Sequence, residues 1–238
     1  MDFFYVDPSD VQGPVLIIRA EEYKHLVRVL RKRVGDHIMV TDGRDTQFEA
    51  VIHALREGEA ECEILDVQRG VNEPKIHVTL AVSLLKNPAR IDFLVEKGTE
   101  LGVRAIIPMR CERTIPSHEK HARLEKITLS AMKQSGRSYL PNVSMLSSFE
   151  AVVNNAEEYA LRLIPHEKTE QSHFVGSVLK HHTEAKSVLI MVGPEGGFTD
   201  DELALASESG FVPISLGPRR LRSETAALSA LTWVVGGM

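Results

Sequence analysis

The chain changes its hydrophobic period once, and that change limits the folds open to it. Up to about residue 70, short apolar runs alternate with polar residues: VLII at 15–18, HIMVT at 37–41, then QFEAVI and AECEILDV, which follow Asp42-Gly43 and Glu57-Gly58. X-Gly pairs between alternating segments are hairpin signals, so this part reads as β-rich, a small barrel. One helical interruption is expected over 21–33, with Leu26, Val29 and Leu30 sharing a face. The segment Gly70-Val71-Asn72-Glu73-Pro74 has no period. From residue 75 strands alternate with helices: IHVTLAVSLL, a helix opening near Pro88, RAIIP, a helix over 119–135, YALRLI, SVLIMV, a capped helix from 200 to near Gly210, and VPISL. That alternation predicts an α/β domain with a mostly parallel sheet. Two domains are expected, residues 1–71 and 72–238.

The 238 residues are 43% hydrophobic and 26% charged, close to globular averages, which excludes a disordered tail or a collagen-like repeat. No stretch approaches the roughly 18 apolar residues of a membrane span, and the start carries acids where a signal peptide is basic. A cytoplasmic protein with no membrane partner is expected. Cys62 and Cys111 are far apart, with no Cys-x-x-Cys or His-rich neighbourhood, so neither a disulfide framework nor a metal site is indicated. The net charge of −5 conceals two basic clusters. Residues 19–33 hold six basic against two acidic side chains, and residues 110–137 hold seven against three. Each alone reads as a solvated helix face; two in an acidic chain favour a polyanionic partner.

The sharpest local feature is Gly193-Pro194-Glu195-Gly196-Gly197-Phe198, between the strand SVLIMV and the capping box Thr199-Asp200-Asp201-Glu202. Ligands of open α/β sheets sit off the carboxyl ends of strands, where a glycine turn lets bare amides approach. It is no phosphate loop, lacking the Gly-Lys-Ser/Thr end, and it also fits a plain turn needing positive φ. A second turn, Leu216-Gly217-Pro218-Arg219-Arg220-Leu221-Arg222, again follows a strand and leads to the apolar last helix; it also reads as a solvated loop with Ser223 as N-cap. Lys133-Gln134-Ser135-Gly136-Arg137 ends the basic helix, where lysine is ordinary dipole chemistry.

Five ordered motifs, HLVRVLRKRVGD with its TDG turn, LLKNPARIDFLVEKGTELGV, AMKQSGR, MVGPEGGFTDDE and LGPRRLRSETAAL, resemble the 16S ribosomal RNA uridine-N3 methyltransferases of the SPOUT class over nearly the whole chain. The resemblance implies a small PUA-like β-barrel followed by an α/β domain with a deep trefoil knot, use of S-adenosylmethionine, and a homodimer. It also implies methylation of N3 of a specific uridine in 16S ribosomal RNA, in the assembled 30S subunit. Cofactor contact is carried onto Ile164, Pro165, Gly193, Pro194, Glu195, Gly196, Gly197, Leu216, Gly217 and Leu221. Arg222 or Arg137 would stabilise charge on the uracil oxygens, Glu224 is a candidate proton acceptor, and no metal is called for. Arg28, Arg31, Lys32, Arg33, Lys133 and Gln134 would contact RNA, setting affinity more than base choice. Lys97 and Glu100 match the family motif, but one helical turn spans them and a structural pair is the simpler reading. Where the family carries an arginine before the first aromatic pair, this chain has Asp2, so an RNA contact made by that arginine would be missing here or supplied elsewhere.

Overall fold

Alternation of buried and exposed side chains along VLII and HIMVT builds a sheet with one apolar face. In this computed structural model, which describes residues 3–118, 120–167, 169–170 and 173–237, the chain divides into two units. Asp2 lies outside the described residues. Residues 1–73 and 132–140 form the first unit; residues 74–131 and 141–238 form the second.

The first unit runs through β1 (Phe3–Tyr5), β2 (Val11–Gln12), β3 (Val15–Arg19), α1 (Ala20–Lys24), β4 (His37–Thr41), β5 (Thr46–Arg56) and β6 (Glu59–Arg69). They make a six-stranded sheet in the order β1-β4-β5-β6-β3-β2, antiparallel except for β1 against β4. Both expected hairpins form, with Gly43 at φ +68° and Gly58 at φ +86°. Two register shifts along β5 and β6 bend the sheet around Phe4, Leu16, Ile18, Ile38, Val40 and Ile52, all buried.

The helix expected over 21–33 is shorter and differently wound. After α1 the chain takes one π-helical stretch, His25–Val29, closed by Leu30 N–H to His25 O at 3.0 Å, and Arg31 stops it at φ +54°. At 3.6 residues per turn Leu26, Val29 and Leu30 would share a face. The wider turn keeps Leu26 buried and rotates Val29 out to 64% exposure.

The second unit holds β7 (His77–Ser83), α2 (Pro88–Glu100), β8 (Ala105–Arg110), α3 (His121–Ser135), β9 (Asn142–Val143), β10 (Ser147–Ser148), α4 (Phe149–Asn154), β11 (Leu161–Pro165), α5 (Val175–Leu179), β12 (Ser187–Val192), α6 (Asp200–Glu208), β13 (Val212–Ile214) and α7 (Ser223–Gly237). The last turn of α3 belongs to the first unit. Every strand pair here is parallel, in the order β10-β8-β7-β12-β11-β13 with β9 also on β8. Central strands of such a sheet are covered on both faces and so read as unbroken apolar runs. Val188, Ile190 and Val192 of β12 meet α2, α5 and α7; Leu189 and Met191 meet α4 and α6. The period of two thus assigns each residue its layer. α2 begins as its sequence predicts, with Pro88 in the first turn, and the structure adds a cap: Asn87 accepts from Ala89 N–H at 3.0 Å. Among the described residues no helix is long and apolar enough to cross a membrane.

Candidate functional site

β11, β12 and β13 all end toward a cleft of about 500 Å³, within the range that takes a cofactor-sized ligand. Every residue expected at the cofactor lines it except Ile164, whose side chain is buried in the α4 and α6 layer. Arg222 lines it too, exposed at the start of α7.

The glycine turn is shaped by its own sequence. Gly197 N–H donates to Pro194 O at 2.9 Å, closing a β-turn, and Gly197 itself sits at φ +69°. Gly193 is bare because the Phe198 ring covers it, where a Cβ would come within 3.1 Å. The capping box forms as expected. Thr199 Oγ1 accepts from Glu202 N–H and Glu202 Oε2 accepts from Thr199 N–H, at 3.2 and 2.8 Å. Of the turn's amides, those of Glu195 and Gly196 have no hydrogen-bond partner among the described residues. Unpaired amides at a strand's carboxyl end are what a polar ligand edge requires.

The arginine turn is held by Gly217, at φ +105°, donating to Ser215 Oγ at 3.3 Å. Arg220 Nε meets Glu167 at 3.2 Å, in water, where such a pair contributes little. Ser223 is the first helical residue and no cap; the Arg222 carbonyl accepts the opening bond, from Ala226 N–H at 2.8 Å.

Glu224 stands one residue further, 7% exposed, outside the cleft lining. Its Oε1 lies 3.6 Å from Arg90 Nε, and its Oε2 is buried with no hydrogen-bond partner among the described residues. Arg90 Nη1 also reaches Glu195 Oε1, at 3.8 Å, and Glu195 accepts from Lys86 N–H at 3.1 Å. Arg137 is not among the cleft's lining residues; it belongs to the first unit, 2% exposed, bonded to Glu73. Lys133 of the same motif is likewise paired, with Glu22 at 2.5 Å, while Gln134 is exposed. Thus much of the second basic cluster is neutralised within the chain, Arg123 by Asp92 included. Arg28, Arg31 and Arg33 of the first cluster are exposed and Lys32 half-buried. Lys97 pairs with Glu100 and Glu96, at 2.8 and 2.7 Å, so the structural reading of that motif holds.

Arg113 and His166 are among the cleft residues that the sequence did not single out. Arg113 follows β8 and His166 follows β11, each just past a strand's carboxyl end, the one signal that marks them. Arg113 Nη1 donates to Gly196 O at 2.9 Å and to Phe198 O at 3.2 Å. Beside it the Cys111 thiol is pushed up to about 12, chiefly by burial and then by the negative charge of Glu202. Among the described residues no group of His, Cys, Asp and Glu is arranged to hold a metal ion.

The sequence matches the model of an RNA methyltransferase domain over residues 72–235 and that of an RNA methyltransferase PUA domain over residues 18–68. It is 34% identical over 234 residues to the ribosomal RNA small subunit methyltransferase E of Synechocystis, covering 96% of this chain and 75% of that one. The crystal structure of a Neisseria gonorrhoeae ribosomal RNA small subunit methyltransferase E bound to S-adenosyl methionine superposes with TM-score 0.84 at 32% identity, covering 97% and 95% of the two chains. A Legionella pneumophila putative methyltransferase in complex with the same cofactor gives TM-score 0.82 at 30% identity, covering 98% and 96%.

Proposed function

This chain belongs to the ribosomal RNA small subunit methyltransferase E family, and on that premise we propose that it methylates N3 of a specific uridine in 16S ribosomal RNA, in the assembled 30S subunit, using S-adenosylmethionine. The observation that carries the reading is the cleft at the ends of β11, β12 and β13. It has a cofactor's size, unpaired amides at Glu195 and Gly196, and almost the whole expected contact set on its walls. The Gly193–Gly197 turn, Leu216, Gly217 and Leu221 would hold the cofactor chiefly through backbone groups, with Pro165 against it. When bound, S-adenosylmethionine supplies an electrophilic methyl group, which the uracil N3 receives.

The side chains have separate tasks. Arg222, exposed at the cleft, places a permanent positive charge where negative charge builds on the uracil oxygens. Glu224 is the candidate acceptor for the N3 proton; it is buried outside the cleft lining, so it must turn its unpartnered Oε2 toward the cleft to take that proton. The burial of Arg137 against Glu73 favours Arg222 over Arg137 for the charge-stabilising role. Exposed Arg28, Arg31 and Arg33, with Lys32 and Gln134, would meet the RNA backbone; Lys133 would do so while sharing Glu22. The proposal includes a homodimer in the cytoplasm, with α7 at the contact. Trp233 is 43% exposed there, beside a shallow hollow formed with Ser229, Thr232 and Gly236. The proposal also includes the trefoil knot of this class, formed around the same cleft.

The test is incubation of the purified protein with labelled S-adenosylmethionine and unmodified 30S subunits, followed by nucleoside mass analysis. N3-methyluridine is the expected product. A different methylated nucleoside overturns the target base, and absence of label overturns the reaction.

A further inference from the structure

We infer that Arg113 is a positioning residue of the cleft, fixing the glycine turn so that its free amides already face a ligand; this rests on the reading of the cleft as the cofactor site. A guanidinium is planar and presents several donors in a rigid fork. Arg113 Nη1 serves two carbonyls of one turn, Gly196 O at 2.9 Å and Phe198 O at 3.2 Å. The amide joined to each of those carbonyls is also engaged. Gly197 N–H reaches Pro194 O at 2.9 Å, and Thr199 N–H reaches Glu202 Oε2 at 2.8 Å. In a trans peptide the C=O and N–H point in opposite directions. Both peptide planes are therefore bonded at their two ends, and Arg113 provides one end of each.

The arginine is itself held. Glu112 N–H donates to Glu202 Oε1 at 2.8 Å, and Cys111 N–H to Thr114 Oγ1 at 2.8 Å, while the Thr114 and Ser83 hydroxyls are 2.7 Å apart. The loop after β8 is thus tied to the end of β7 and to the cap of α6, and the Arg113 stem lies along Gly196. A Cβ on that glycine would stand 3.4 Å from the arginine's Cβ and Cδ. Glu195 and Gly196, two residues whose amides have no partner among the described residues, sit between the clamped planes and the end of β12. Without the clamp a turn holding two adjacent glycines must be ordered when the ligand binds, and that ordering lowers affinity.

The experiment compares wild type with Arg113→Ala and Arg113→Lys. S-adenosylhomocysteine binding is measured by calorimetry, and cofactor KM and kcat are measured on 30S subunits. Arg113→Ala is expected to raise Kd and KM about tenfold or more, as befits two lost charge-assisted bonds, and to leave kcat at saturating cofactor within about twofold. Lysine, a single point donor, restores part of the affinity. A merely structural role would instead lower Tm and kcat together and leave KM in place. Wild-type affinity in a folded Arg113→Ala protein overturns this inference alone, and Arg113→Lys gives the same comparison if the alanine variant does not fold. Failure of the wild-type protein to bind S-adenosylhomocysteine overturns the proposed function, and this inference with it.

Discussion

Arg137 and Glu73 form a buried fork in the first unit: Nε reaches both carboxylate oxygens at 3.2 Å and Nη2 reaches Oε2 at 2.5 Å, with the two side chains 2% and 8% exposed. The same carboxylate accepts from Ser138 and Tyr139 N–H, each at 3.0 Å. Removing one partner strands a charge in the interior, which costs about 3–5 kcal/mol. Arg137→Met and Glu73→Gln are therefore expected to lower the first unit's denaturation midpoint by about 10 °C or more. Cofactor affinity in the second unit should not change. A folded Arg137→Met protein of wild-type stability with a large loss of kcat would return Arg137 to the reaction.

Glu224 and Arg90 make a second, looser pair. The carboxylate is buried, the guanidinium is 3.6 Å away, and Oε2 has no hydrogen-bond partner among the described residues. Glu224→Gln removes the proton acceptor while keeping the shape, so kcat should fall about 100-fold or more with cofactor Kd unchanged. Arg90→Met leaves the carboxylate without its cation and should cost about 1–3 kcal/mol in urea denaturation. Adding Glu224→Gln to Arg90→Met should recover part of that loss, the non-additivity expected of residues in contact. Strict additivity would show that the pair does not interact.

The layers of both units were legible because burial follows the period: alternation for β3 and β4, unbroken apolar runs for β7 and β12. The opening of α2 at Pro88 and the capping box of α6 were legible because both depend on residues within four positions. Long-range pairing was not. Nothing local in QSGR shows that Arg137 will meet Glu73, 64 positions away, or that Lys133 will meet Glu22, so a basic count over 110–137 overstated the free charge. Arg113 was hidden for the same reason, since its carbonyl partners lie 83 and 85 positions downstream. The π-turn at His25–Val29 was also invisible, because burial of Leu26 and the left-handed stop at Arg31 override the 3.6 period.

Arg222 lines the cleft yet stays exposed, so its charge is available to a substrate and carries no part of the core. Arg222→Ala should lower kcat by about 10²–10³, the loss seen when a single donor to developing negative charge is removed. Stability and S-adenosylhomocysteine affinity should stay near wild type. Arg222→Lys keeps the charge without the planar fork and should fall between. Full activity in Arg222→Ala would remove this residue from the mechanism.

Cys62 and Cys111 tie stability to alkaline pH. Burial is the main cause that pushes each thiol from its ordinary 9.0 up to about 12, with Glu61 adding to Cys62 and Glu202 to Cys111. The folded thiols therefore keep their protons where those of the unfolded chain lose them. Their contribution is whole below pH 9 and is lost as pH rises from 9 toward 12, by about 1.4 kcal/mol per pH unit for each thiol. Urea denaturation at pH 8 and pH 10 should show this fall in the wild-type protein, and Cys62→Ala with Cys111→Ala should flatten it although the cavities lower stability at both values. Iodoacetamide at pH 8 should label neither cysteine in the folded protein and both after unfolding. Rapid labelling of the native chain at either position would show that the thiol is neither buried nor raised.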